Sequence, residues 1–235
     1  MPDAVSVLQQ MRTAAHLTLD FAPPLPHDEI DALREQLGVP LPSELVAVLG
    51  ETSAVEGIEQ LDFTGRSMDV MVEEVAPSGL PFAADGFGNF WLLDLTPEHT
   101  ERAPVFFLCH DPPVFAYQSA NLGDFLQELM AMYEPDAASK VRELHDVRVL
   151  EIWRANPGVT DRETALGGDV ELSTFAASLD DRFELVDLRT PEVGAGFSWG
   201  RYGPQTEIRR HGYARIFATA PPEKAPGFFG RLRGR

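Results

Sequence analysis

The sequence predicts an α+β chain with a second, smaller α+β part at its C-terminal end. Three observations predict it. Helix signals fill residues 1–49, strand signals fill 60–117, and helical periodicity returns at 121–133. Helices segregated from strands in this way indicate α+β packing rather than alternating βαβ units. After Pro135 the pattern changes to short helices and isolated strands.

Each element has a local reason. Val5, Leu8 and Met11–Arg12 suit a short N-terminal helix, which Pro23, Pro24 and Pro26 bring to an end. Asp28 is the expected cap of a second helix, with Ile30, Leu33 and Leu37 inward and Gly38 as its stop. Its outer face carries Glu29, Asp31 and Glu35. Leu41–Pro42 opens a third helix, with Leu45, Val48 and Leu49 inward and Gly50 beyond it. Gln60–Thr64 and Met68–Val72 read as short strands around Gly65. Leu80–Ala84 and Phe90–Leu95 flank a glycine turn and predict a hairpin-like pair. Val105–Cys109 and Val114–Tyr117 add two strands, separated by Asp111–Pro112–Pro113. The run VFFLC is continuously apolar, which predicts a strand covered on both faces.

Asn121 is the expected cap of a helix whose stripe is Leu122, Phe125, Leu126, Leu129, Met130 and Tyr133. Asp124 completes a capping-box-like arrangement. Beyond it, Ala137–Ala155 predicts a helix stopped by Asn156–Pro157–Gly158. Thr160 is the expected cap of a short helix through Leu166, and Val170–Leu179 predicts another. Phe183–Leu188 and Glu207–Phe217 read as strands. Residues 221–235 are rich in Pro and Gly and end basic, the composition of a flexible tail.

Charge narrows the function classes. The net charge is −18, and it is unevenly spread. Residues 1–150 hold 25 Asp and Glu against 7 Lys and Arg, whereas 151–235 hold 12 of each. An acidic surface repels nucleic acid and anionic membranes and attracts basic partners. No apolar run approaches the roughly 18 residues of a membrane helix. The single cysteine, Cys109, rules out a disulfide framework and a cysteine metal site. With no signal-peptide pattern at the start, these features predict a cytoplasmic protein.

The candidate chemical motifs are weak. Cys109–His110–Asp111 has the composition of a cysteine-nucleophile triad. Neighbours in a strand point to opposite faces, so Cys109 and His110 diverge and cannot share a proton. Gly86–Phe87–Gly88–Asn89 resembles half of a dinucleotide fingerprint. Trp91 stands where the third glycine belongs and no helix follows, so no helix N-terminus can hold a phosphate. The two glycines are better explained by positive φ, Asn89 by tolerance of the same, and Asp85 by bonds to its own turn amides. His16, His27, His99, His145 and His211 show no metal-ligand spacing, and no EF-hand loop is present. No cofactor or metal is expected. Arg201, Arg209 and Arg210 sit beside Trp199 and Tyr202 and are expected to dock on the acidic first part or to complete its charge surface.

Four segments carry a family resemblance. They are EIDALREQLGVPLPSELVAVL at Glu29–Leu49, LPFAADGFGNFWLLDL at Leu80–Leu95, APVFFLCHD at Ala103–Asp111 and SANLGDFLQELM at Ser119–Met130. In this order they resemble the SUKH superfamily of Smi/Knr-like domains. The resemblance implies a SUKH-like domain at 1–134, followed by a C-terminal α+β extension at 135–220 and the tail at 221–235. It implies a central antiparallel-rich sheet with helices packed around it, and no catalysis. Many bacterial members resemble immunity proteins that bind and neutralise a polymorphic toxin, frequently a nuclease. The expected partner is therefore a basic toxin domain, not nucleic acid or membrane. The expected contacts are acidic positions outside the core stripes: Glu29, Asp31, Glu35, Glu56, Glu59, Glu73 and Glu74. The eukaryotic relatives imply the alternative, a regulatory adaptor or ligand-sensing module. An enzyme hidden in 135–235 is a third reading that no nucleophile–base spacing supports.

Overall fold

The computed structural model describes residues 2–68 and 75–223. It is α+β, with one eight-stranded and one four-stranded antiparallel sheet. Helix α1 (Ala4–Thr13) starts where the Asp3 carboxylate accepts from the Ser6 amide, and it buries Ala4, Val7, Leu8 and Met11. Helix α2 (His27–Leu37) begins after Pro26, one residue ahead of the expected Asp28 cap. Asp28 and Glu29 instead lie in its first turn, where carboxylates complement the helix dipole. Helix α3 (Ser43–Leu49) buries Leu45, Val48 and Leu49.

The large sheet is built from β1 (Asp20–Phe21), β2 (Ala54–Glu56), β3 (Gln60–Asp62), β4 (Gly79–Ala84), β5 (Phe90–Asp94), β6 (Val105–His110) and β7 (Pro113–Ser119). These follow one another in space as in sequence. Met68 is coil, and residues 69–72 of the expected Met68–Val72 strand lie outside the described residues. Helix α4 (Leu122–Met132) has the expected reciprocal cap. The Asp124 amide donates to Asn121 Oδ1 at 2.8 Å, and Asn121 Nδ2 donates back to Asp124 at 2.7 Å. Glu44 of α3 adds a second cap, accepting from the Leu122 and Gly123 amides at 3.1 Å each.

The expected helix at 137–155 starts later, at a Ser139 cap, and contains a π turn. Its parts are α5 (Lys140–Glu143), the π turn (Leu144–Arg148) and α6 (Val149–Ala155). Residues Val159–Asp161 form β8, so Asp161 and not Thr160 caps α7 (Arg162–Leu166). Helix α8 (Val170–Ala177) and β9 (Glu184–Asp187) fall where expected. Two residues, Gly196–Phe197, form β10, which pairs with β7 and becomes the eighth strand of the large sheet. The single strand expected at Glu207–Phe217 is a hairpin, β11 (Glu207–Arg210) and β12 (Ile216–Ala220). Gly212 in its loop has φ +53, a conformation that breaks a continuous strand.

The sheet faces alternate between two cores. Trp91, Leu93, Val105, Phe107 and Cys109 pack with the helices in one cluster. Leu92, Phe106, Leu108 and Phe115 pack in another with Val186, Leu188, Phe197 and Phe217 of the extension. The second sheet therefore lies over the face of the first that α1–α4 leave open. The apolar run VFFLC is covered on both faces for this reason.

Candidate functional site

The turn between β4 and β5 is fixed from within. Asp85 Oδ1 accepts from the Phe87 amide at 2.8 Å and the Asn89 amide at 3.1 Å. Asn89 Nδ2 donates to Asp85 Oδ2 at 2.5 Å. Gly86 and Gly88 take φ +77 and +92, as the turn requires. Asn89 does not share that conformation. Its side chain is buried, and its Oδ1 accepts from the His110 amide at 3.1 Å. The result is a rigid loop with Phe87 at its tip, 81% exposed.

Three other segments converge on this turn. His145, from the π turn, places Nε2 3.0 Å from Asp85 Oδ2 and Nδ1 2.8 Å from Asp146 Oδ1. A neutral imidazole has one N–H and one lone pair. Only the imidazolium donates to both carboxylates. Burial alone lowers the His145 pKa, but the bonds to Asp146 and Asp85 outweigh it and raise the pKa above its ordinary value. Burial pushes the Asp85 carboxyl up, and its bonds from Asn89, Phe87 and His145 outweigh that and hold it below the usual range. Glu59, in the β2–β3 turn, accepts from the Tyr133 hydroxyl at 3.4 Å. Burial raises its pKa against that bond, and the charge of Asp85 adds to the rise. The His145 ring also lies against Trp91 and Phe107, at 6.4 and 5.6 Å between centroids.

The expected contact residues divide between two places. Glu29, Asp31 and Glu35 lie on α2. There Glu29 pairs with Arg66 at 2.7 Å and Asp31 with Arg34 at 2.5 Å. Glu56 closes β2 and Glu59 follows three residues on, beside the glycine turn. Glu73 and Glu74 lie outside the described residues. Sequence reasoning missed Asp85, Asp146, Phe87 and Tyr133 as members of one surface. They come from the β4–β5 turn, the π turn and the end of α4, so no single linear spacing marks them.

Other expectations are corrected. Asp94, whose place near the end of the expected Phe90–Leu95 strand predicts exposure, is 1% exposed and forms a bidentate pair with Arg210 at 2.7 and 2.9 Å. Of the three arginines expected to dock, Arg210 does so, and Arg215 lies 3.9 Å from the same carboxylate. Arg201 instead donates to the Trp153 carbonyl, and Arg209 lies over the Phe183 ring. Cys109 and His110 do diverge, one buried and one exposed. Burial pushes the Cys109 thiol up to about 11, which removes it as a nucleophile at neutral pH. A cavity of about 290 Å³ between α2 and β4 is lined by Leu33, Leu37, Leu80 and Pro81. Among the described residues its polar lining is Gln36, Thr64 and Arg66, with no carboxylate, imidazole or thiol. Among the described residues no group of three or more His, Cys, Asp or Glu side chains is placed to hold a metal. No helix among them is long and apolar enough to cross a membrane.

Residues 24–128 match the model of the SMI1 / KNR4 family (SUKH-1). Over these residues, under half of its length, the chain is similar to a SUKH-1 domain. No curated protein matches the chain. The SUKH-1-like region runs from the segment before α2 to most of α4, and all four resemblance segments begin within it. A SUKH-1 domain fits a non-catalytic role. The glycine turn, Glu56 and Glu59 belong to the matched region itself, whereas His145 and Asp146 reach it from the extension.

Proposed function

We propose that this protein is a non-catalytic binding protein, an immunity protein that occludes and neutralises a cognate bacterial toxin with a basic contact domain such as a nuclease. The similarity to a SUKH-1 domain over residues 24–128 carries the reading. The charge of −18 supports it, because complementary charge accelerates association and sharpens partner choice. Contacts are proposed at Glu29, Asp31, Glu35, Glu56, Glu59, Glu73 and Glu74. Glu56 and Glu59 rank first among the described ones, because arginines already neutralise Glu29 and Asp31.

The test is co-expression in bacteria with the toxin encoded beside this gene. Protection and a purified complex are expected, while neither protection nor a complex overturns the reading. Reversing Glu56 and Glu59 to lysine should slow association roughly tenfold at low salt and flatten its salt dependence. Stopped-flow measurement of the association rate checks this.

A further inference from the structure

We propose that Phe87, at the tip of the β4–β5 turn, is the apolar anchor of this protein's interface, and that the partner offers an apolar pocket rimmed by Lys or Arg. The inference rests on the binding reading above and names the centre of that surface. Phe87 leaves 81% of its surface in water. It is not exposed for want of structure. Asp85 accepts from the Phe87 amide itself, and the two flanking glycines have positive φ. Gly88 lies so close to His110 that a Cβ would meet the ring at 3.1 Å. Buried Asn89 ties the same turn to β6 through the His110 amide. A buried polar network therefore holds an aromatic ring outward.

Burying such a ring favours association, and this chain leaves that term unused. A ring already held in place also loses little entropy on binding. Aromatic side chains at the centre of an interface dominate binding energy, with polar groups around them as a rim. The polar groups gathered beside the turn are Tyr133, Glu59 and Asp146. Glu59 accepts from a tyrosine hydroxyl, and a histidine holds Asp146, in contrast to Glu29 and Asp31, which arginines neutralise. The rim therefore selects a cationic partner. A second copy of this chain is disfavoured, since each carries −18.

The probe is a random peptide library displayed on phage, panned against the full chain at physiological salt. The enriched peptides should place Arg or Lys beside a large apolar residue. Phe87→Ala should weaken their binding at least tenfold without moving the thermal midpoint, because the ring contacts little of the fold. Glu59→Gln with Asp146→Asn should weaken the same peptides and reduce their salt dependence. Peptides that bind wild type and Phe87→Ala alike overturn the anchor, as does a library that enriches nothing or enriches sequences without basic residues. Peptides bound on another face sink the anchor alone, since co-expression judges the toxin reading separately.

Discussion

Asp94 and Arg210 show how much rests on single side chains. Both are almost fully buried, at 1% and 4% exposure. Arg210 also donates to the carbonyls of Val75, Ala214 and Tyr213, so its fork is saturated. Removing one member of such a pair strands the other charge in the interior. Arg210→Met should therefore cost about 3–5 kcal/mol in urea unfolding. Asp94→Leu together with Arg210→Met should recover most of it, because the uncompensated charge is then gone. A double variant as unstable as the single one would count against this account. His145 gives a different prediction. It faces Asp85, Asp146 and Glu59, and its folded pKa lies above the ordinary value of about 6.5. A raised histidine pKa means the folded state binds the proton more tightly. The stabilisation is therefore complete below about pH 6.5 and is lost as pH rises through the folded value. His145→Gln should remove that fall in stability on the alkaline side. Urea midpoints from pH 6 to 9 check it, and an unchanged slope in the variant would assign the dependence elsewhere. Asp85 acts in the opposite window, since its lowered pKa gives stability that is lost only as the solution becomes acid.

The elements divide by length into those the sequence reveals and those it hides. The stripe of α4, the Leu–Pro start of α3 and the continuous apolar run of β6 each extend far enough to show a period. Strands β1 and β10 have two residues and β2 has three, too few for alternation to register. Their existence depends on partners distant in the chain. The same distance explains the error at Asp94, whose arginine comes 116 residues later. The sequence also shows Glu56 and Glu59 as solvent-facing acids, but not the company they keep. Phe87 looked like a turn residue because only the structure reveals how firmly its loop is held. Strand β10 offers a test at this scale. Gly196 packs so tightly on β7 that a Cβ would lie 2.3 Å from the Phe115 carbonyl oxygen. Gly196→Ala must push the two strands apart, at roughly 1–3 kcal/mol as for other overpacked sites. The Tyr117 amide, which donates to the Ala195 carbonyl at 2.8 Å, should then exchange faster. Hydrogen exchange followed by NMR reads that residue directly, and unchanged protection at Tyr117 would mean that β10 is held by its flanks.

At the scale of the whole molecule, the extension and the SUKH-1-like region share a core. Phe106 stacks on Phe115 at 4.7 Å between centroids, and Phe115 meets Phe197 and Phe217 at 6.0 and 5.6 Å. Two of these four rings come from each part. The interface adds the Asp94–Arg210 pair at one place and the His145–Asp85 contact at another. These contacts lie on opposite faces of the large sheet. His145 packs against Trp91 and Phe107 on the helical side, while Arg210 stands over Phe217 in the second core. The extension therefore grips the sheet on both sides and adds a strand to its edge. A fragment ending at residue 134 loses all of this at once. It exposes Leu92, Phe106, Leu108 and Phe115 as a contiguous apolar face and strands the Asp94 carboxylate. Exposed apolar surface of that kind drives association. The fragment is expected to aggregate or to bind a hydrophobic dye, and to lack the cooperative thermal transition of the full chain. Calorimetry with sedimentation velocity on both chains decides the matter. A monomeric fragment with the full chain's transition would show that the extension covers the sheet without stabilising it.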